Sequence, residues 1–478
     1  EAGIYGGDSR RIADYQDSGV IDTMIFTRRN FFGMAVGGAL YAQSPVAKRS
    51  DMITLAARPQ DLEMPITGFE DYITPIDHFF VRTHVYVPKV DAAAWKLQIG
   101  GEVATPLTFT LDEIRRMPAV EMIAVQECAG NGRSLFRPNV GGLQWSNGGV
   151  GNGRFRGVRL ADLLKRAGIK SSAVEVLFDG EDDPLGKMQD FRRSITARKA
   201  LNENTLLAYE MNGQALPLQH GFPLRVIAPG WASDSWVKWV TTITVLDKEF
   251  DGFWMKSSYR KPEMGIAPGS NFPADKMVPV TSLRVKSVIW SPLDGTPAMP
   301  GQPLTIRGVA WSGDSGPVTS VQVSVDNGRS WRLAELKPEQ FTEFGWRQFQ
   351  FEWTPTREGY FTVMSRASDG AGNTQTFAEE WNPAGYGWNL APKAGINVTR
   401  TPEPAAASSA RAPIAIQQKT IEQACHGCHG DEVITQQHLS RGQWDREITK
   451  MTNWGAEVKT EDRADLIDYL LKNFGPRE

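Results

Sequence analysis

Near the C-terminus, Cys425-His426-Gly427-Cys428-His429 places two thiols and a histidine within one helical turn. The segment that carries them, residues 414–478, is too short to bury a robust core without a covalent or metal staple. C-x-x-C-H is the spacing of c-type haem attachment. The thiols of Cys425 and Cys428 add to the two vinyl groups of a haem, and His429 then meets the iron from the same side. A covalently attached haem c also supplies the apolar mass that so short a unit lacks. The rivals are a zinc site and a redox C-x-x-C pair, but zinc wants a second ligand pair downstream and no cysteine follows Cys428. Met451 is the only methionine after the motif, so its thioether is the natural sixth ligand, with His438 as competitor.

From about Ile414 to the end, the unit resembles small class I c-type cytochromes. Its closing helix is predicted over 461–474, with Leu466, Ile467, Tyr469, Leu470 and Leu471 on the apolar face. Ahead of it, 399–413 reads as a linker. Three prolines, five alanines and two serines leave scarcely any large apolar side chain to dock, so the unit is expected to move.

The rest of the chain is long enough for about two further domains. Over the whole chain 52 basic and 55 acidic residues nearly balance, so nothing suggests a nucleic-acid binder. With 41% hydrophobic and 22% charged residues it is neither disordered nor polytopic in a membrane. Fifteen tryptophans, 46 glycines and 29 prolines favour strands and turns over long helices.

Residues 1–50 read as an address. Thr27-Arg28-Arg29-Asn30-Phe31-Phe32 precedes a short apolar run, Gly33 to Ala42, that has the length of a signal-peptide core rather than of a bilayer span. The pattern resembles a twin-arginine export signal, which implies a periplasmic protein exported folded with its cofactor in place; cleavage after Ala42 or after Ala47 fits equally.

Residues 51–262 mix short strands, helices and glycine turns, an α+β pattern. A strand is predicted over 95–99, a helix after Thr110 as N-cap, a helix over 160–167 and a buried strand over 175–178. Residues 263–398 turn all-β: Leu304-Thr305-Ile306, Val321 to Val325 and Tyr360 to Val363 recur between turns such as Asp326-Asn327-Gly328. This predicts an immunoglobulin-like sandwich.

Cys128 lies in Gln126-Glu127-Cys128-Ala129-Gly130-Asn131-Gly132-Arg133-Ser134, a glycine-rich, arginine-bearing loop. On chemistry alone, a buried structural cysteine competes evenly with a ligand. The wider pattern resembles the sulfite oxidase family of molybdenum enzymes. The likeness extends to Asp71-Tyr72-Ile73-Thr74-Pro75, Phe79-Phe80-Val81-Arg82-Thr83-His84, Gly142-Leu143-Gln144-Trp145, Leu207 to Gly213, His220 to Arg225 and Val237-Lys238-Trp239, from Asp71 to Trp388 in all.

That resemblance implies a molybdenum-molybdopterin cofactor, with Cys128 as the only protein ligand to the metal. It implies that Thr83, His84, His220, Arg225, Val237 and Lys238 hold the pterin and its phosphate, joined by Asp182 or Asp183. Arg82, Arg133 and Arg347 match arginines that surround the substrate anion, which would put the pocket between two domains. Phe191 falls where the family's active-site tyrosine is expected, so a phenol is expected to be missing. The β-sandwich would be the dimerisation domain of a homodimer.

The implied function is a sulfite dehydrogenase that oxidises sulfite to sulfate and passes electrons through its own haem to an external cytochrome c or another respiratory acceptor. A sulfane-sulfur dehydrogenase keeps the same cofactors with another substrate. An electron-transfer protein with a degenerate molybdenum domain is the non-enzymatic reading, and the retained Cys128 and arginines speak against it.

Overall fold

The computed structural model describes residues 45–182, 184, 186–401, 416 and 418–476. Residues 1–44, which include the arginine pair expected to mark an export signal, Asp183 and linker residues 402–413 lie outside the described residues. Among the described residues, no helix is long and apolar enough to cross a membrane.

One mixed and one antiparallel sheet build the first domain. One runs Leu107–Thr110, Lys96–Gly101, Thr242–Leu246, Glu175–Asp179, Arg193–Thr196. Thr242–Leu246 pairs parallel with Lys96–Gly101, so a late strand closes a sheet begun by an early one. The helix Leu160–Ala167 buries Leu160, Leu163, Leu164 and Ala167 and stops at Gly168, whose φ of 70° suits the left-handed cap. Thr110 and Glu113 form a reciprocal capping box that starts the helix Leu111–Arg115. The second sheet runs Gln214–Ala215, Leu206–Met211, Val150–Arg159, Val120–Glu127, with Arg225–Ile227 also on Leu206–Met211. Cys128 follows directly from the strand Val120–Glu127.

The second domain is a sandwich. A four-stranded sheet (Lys286–Ser291, Leu304–Trp311, Arg347–Trp353, Glu335–Leu336) faces a five-stranded one (Thr296–Ala298, Lys393–Val398, Gly359–Asp369, Val318–Ser324, Arg332–Leu333). Ile306 and Phe349 from one sheet meet Val321, Val363 and Ile396 from the other in one apolar core. The two domains are tied by Glu127: its carboxylate accepts from Asn131 Nδ2 (2.8 Å), Lys286 Nζ (3.1 Å) and Trp311 Nε1 (2.7 Å).

The last described stretch holds four helices, Lys419–Ala424, Glu432–Thr435, Arg441–Asn453 and Arg463–Phe474. Ile421, Ile434, Trp444, Ile448, Leu466, Leu470 and Phe474 form its small core. This helical unit is docked on the first domain through amide side chains. Gln436 accepts from Gln144 N at 2.8 Å and donates to Leu55 O at 2.8 Å, and Gln437 donates to Gly142 O at 3.0 Å. Polar, spaced contacts of this kind hold an interface without requiring a large apolar face.

Candidate active site

The Cys128 loop is shaped by its own arginine. Cys128 N–H donates to Gly149 O (2.8 Å), and the loop turns back as Asn131 N–H donates to Cys128 O (2.9 Å). Arg133 then folds over Gly130: a Cβ there would lie 2.8 Å from Arg133 Nη1, closer than real contacts allow. Glycine at 130 lets a guanidinium approach the loop backbone. The Cys128 side chain is buried, and burial pushes its thiol up to about 11 against the pull of Arg82 and Arg133. A soft metal would displace that proton, since the thiolate is the ligating form.

Cys128 borders a cavity of about 540 Å³ together with Arg82, His84, Arg133 and Tyr259. Arg82 Nη1 lies 3.1 and 3.2 Å from the two oxygens of buried Asp61. Burial is the largest single influence and opposes the charge on Arg82, but Asp61 together with Tyr259 and Cys128 outweighs it and holds the guanidinium above its ordinary value. Arg133 Nη1 donates to Leu143 O (3.1 Å) and its Nη2 to Ala384 O (3.3 Å), while the guanidinium carbon sits 5.0 Å above the Tyr386 ring. Arg133 bonds only main-chain carbonyls and leaves its positive charge at the cavity, while Arg82 shares its charge with Asp61.

The expected loss of a phenol is corrected here. Phe191 stacks on His84 with ring centroids 3.8 Å apart, and the phenol at the site is that of Tyr259, hydrogen-bonded to His84 Nε2. Tyr259 lies 175 residues from His84, beyond the motifs that mark the site in sequence. Burial raises the Tyr259 phenol above its usual value, and burial with nearby Arg82 drives His84 well below its own. The pair therefore consists of a protonated phenol and a neutral imidazole near neutral pH, a phenol able to donate to an oxyanion. Trp254 and Tyr386, also on the cavity wall, were not legible in the sequence either.

On the other side of Cys128 a narrow recess is lined by His84, Asp182, His220, Arg225 and Lys238. Lys238 Nζ donates to Arg82 O and to Gln219 O, both at 3.1 Å, and lies 4.1 Å from the Trp239 ring centroid. Arg225 donates to His220 O (3.0 Å) and Trp236 O (3.1 Å). Burial lowers Arg225 to about 9 and pulls Lys238 down as well, while it pushes Asp182 up. An anionic group in the recess would favour the charged form of both cations. Arg225 Nε on the recess and Arg133 Nε on the cavity are buried without a protein partner, as is the nearby Thr83 Oγ1, which leaves donors for a bound group to satisfy. A phosphate-bearing pterin beside a cysteine-held metal fits these residues.

Three expected residues line neither space: Thr83, which is buried with its hydroxyl unpartnered, Arg347 and Val237. Arg347 lies in the sandwich with Nη1 3.2 Å from Val318 O and its guanidinium over Phe341; it lines neither the cavity nor the recess. Its strand position turns it away from Cys128, so the expected three-arginine pocket is corrected to Arg82 and Arg133, with Arg58 and Arg260 also on the cavity wall. Val237 is an apolar core residue whose carbonyl accepts from Val226 N–H at 2.9 Å; it lines neither space.

The far wall of the same 540 Å³ cavity is the helical unit: Cys425, Cys428, His429 and Met451 all border it. His429 Nδ1 lies 3.0 Å from Gly430 O, which assigns the proton to Nδ1 and leaves Nε2 as the ligating nitrogen. Ile421, Val433, Ile448, Leu466 and Leu470 give an apolar continuation behind it. His438 Nδ1 lies 3.3 Å from Gly475 O and borders a different, polar space with Ser134 and Arg137. Cys425, Cys428, His429 and Met451 are a donor set that would fit a c-type haem, and His438 lies outside it.

Residues 84–254 match the family model of the oxidoreductase molybdopterin binding domain, and 278–397 that of the Mo-co oxidoreductase dimerisation domain. The mitochondrial sulfite oxidase of Mus musculus is 34% identical over 363 residues, 72% of this chain and 65% of that protein, so the chain spans just under two thirds of its length. The sulfite oxidase of Gallus gallus is 34% identical over 334 residues, 66% of this chain and 71% of that protein. Among solved structures, the sulfane dehydrogenase SoxCD of Paracoccus pantotrophus superposes with a TM-score of 0.63 at 28% identity, covering 77% of this chain and 96% of that one.

Proposed function

Because this chain belongs to the sulfite oxidase family of molybdenum enzymes, we propose that it is a sulfite dehydrogenase that delivers electrons from a molybdenum-molybdopterin centre at Cys128 to a haem c held by its own C-terminal helices. One observation carries the reading: Cys128 and Arg82 on one side, and Cys425, Cys428, His429 and Met451 on the other, wall a single cavity. Two redox groups placed at its two sides would face each other with no intervening domain.

Bound through Cys128 Sγ, the molybdenum centre would supply the two-electron oxidation of sulfite to sulfate with an oxygen drawn from water. The chain itself draws in and orients the anion. Arg82, fixed by Asp61, and Arg133, fixed by two main-chain carbonyls, present rigid positive charge, which stabilises an oxyanion more than mobile water can. Tyr259 offers its phenolic proton as a hydrogen bond, and His84, kept neutral, accepts from that phenol when no anion is present. Thr83, His220, Arg225, Lys238 and Asp182 would hold the pterin and its phosphate.

Cys425, Cys428, His429 and Met451 would hold the haem, which carries electrons one at a time to an external cytochrome c or another respiratory acceptor. A homodimer formed through the sandwich fits the dimerisation-domain match, and the arginine pair at 28–29 supports periplasmic export. Steady-state assay of metal-loaded protein with sulfite and ferricytochrome c tests the reading; turnover is expected, and its absence would overturn it.

A second reading is favoured by the likeness to SoxCD: oxidation of a sulfane sulfur instead of sulfite. Sulfane donors run beside sulfite in the same assay separate the two, since kcat/KM for one must exceed the other.

A further inference from the structure

Aromatic rings run from the molybdopterin side of the cavity to the helical unit. His84 packs edge-on to Trp254 (centroids 5.0 Å apart), and Trp254 faces Trp454 across the interface at 6.4 Å, with Phe253 completing the bed at 6.1 Å from Trp454. Trp454 caps the helix Arg441–Asn453, three residues after Met451, and its N–H bonds the carbonyls of Lys450 and Met451 at 3.1 Å each. Residues three apart at a helix end share a face. The ring that touches the first domain is thus tied to the thioether proposed as the iron ligand.

The first domain is built to receive this ring. Lys187 N–H donates to Trp454 O at 3.2 Å, and a Cβ at Gly186, whose φ is +55°, would lie 3.1 Å from that same carbonyl. Gly186 lets the loop approach where a side chain would crowd it. The other hydrogen bonds between the units come from Gln436, Gln437 and Gln443, from Ala57 N–H to Glu432 Oε1 (2.8 Å) and from Arg58 Nη2 to His426 O (3.2 Å), which fix position without apolar burial.

We propose that Trp454, seated on Trp254 and Phe253, is the positioning residue that holds the helical unit in electron-transfer register with the molybdopterin domain. This rests on the function proposed above. Each transfer moves one electron from the reduced molybdenum centre to the oxidised haem. No bond forms or breaks, and the rings neither gain nor lose an electron; they fix the separation and fill the gap with packed matter. A 6.4 Å ring pair is a contact that a modest opening would lose, so the rate should follow the fraction of time the unit is seated.

The test compares wild-type holoenzyme with Trp454→Leu and Trp454→Phe. In Trp454→Leu, haem reduction after mixing with sulfite should slow about tenfold, and the amides of Lys187 and Gln144, which donate across the interface, should exchange hydrogen about tenfold faster. Sulfite oxidation by an artificial acceptor at molybdenum and the haem spectrum should stay at wild-type values. Trp454→Phe, which restores a ring, should recover most of both effects. Wild-type haem reduction or wild-type amide exchange in Trp454→Leu would overturn the proposal. A wild-type chain that carries no haem would defeat the functional reading instead, and the amide exchange would still decide the docking contact.

Discussion

Lys286 Nζ lies 3.1 Å from a carboxylate oxygen of Glu127, and both side chains are buried where the sandwich meets the Cys128 loop. The pair joins two domains at the residue immediately before the proposed metal ligand. Paired buried charges are tolerated because their attraction offsets the cost of desolvating both; a lone one has no such offset.

Replacing Lys286 with Met should therefore destabilise the protein by about 3–5 kcal/mol, because Glu127 keeps only its neutral donors Asn131 and Trp311. Urea denaturation followed by tryptophan fluorescence measures it. The surface pair Arg154–Glu121 is the control, expected to change stability by about 0–1 kcal/mol when broken.

Tyr259→Phe removes the site's phenol and keeps its ring packing against Tyr386. One hydrogen bond to a charged group is worth about 1.5–3 kcal/mol, so kcat/KM for sulfite should fall about tenfold or more at unchanged molybdenum content. An unchanged kcat/KM would remove Tyr259 from the substrate contacts.

Arg133→Gln should raise KM for sulfite about tenfold or more, through loss of a charge-assisted contact. Arg347→Gln should leave KM alone, because Arg347 faces Val318 and Phe341. Equal effects from the two would contradict the cavity assignment.

Met451→Ala should lower the haem potential and alter its spectrum by removing a thioether ligand, whereas His438→Ala should change neither. The contrast follows from placement: Met451 borders the cavity with His429, and His438 does not.

Local signals carried well from sequence to structure, and long-range ones did not. The helix predicted over 160–167 is present to the residue, because its apolar spacing and Gly168 are both local. The strand predicted to reach Val325 ends at Ser324, where Asp326 captures Ser330 N–H at 2.9 Å and Asn327 and Gly328 turn with positive φ. Arg347 misled because a motif gives a residue's neighbours in sequence but not which face of its strand meets the cavity. Tyr259 was invisible for the same reason: its partner His84 is brought to it only when the late strand Thr242–Leu246 closes the first sheet. The composition of 399–413 predicted a movable unit, and the structure shows that unit docked through Gln436, Gln437 and Trp454. No pattern within residues 414–478 encodes that surface, because half of each contact belongs to the first domain.

The central claim is that sulfite oxidised at Cys128's metal reduces the haem of the same chain. Anaerobic stopped-flow mixing of oxidised holoenzyme with sulfite, followed at the haem absorbance, tests it most directly. Full haem reduction is expected at a rate independent of protein concentration, and Cys128→Ser, with its haem spectrum intact, should show none. Sulfate formation with an artificial acceptor while the haem stays oxidised would contradict the claim.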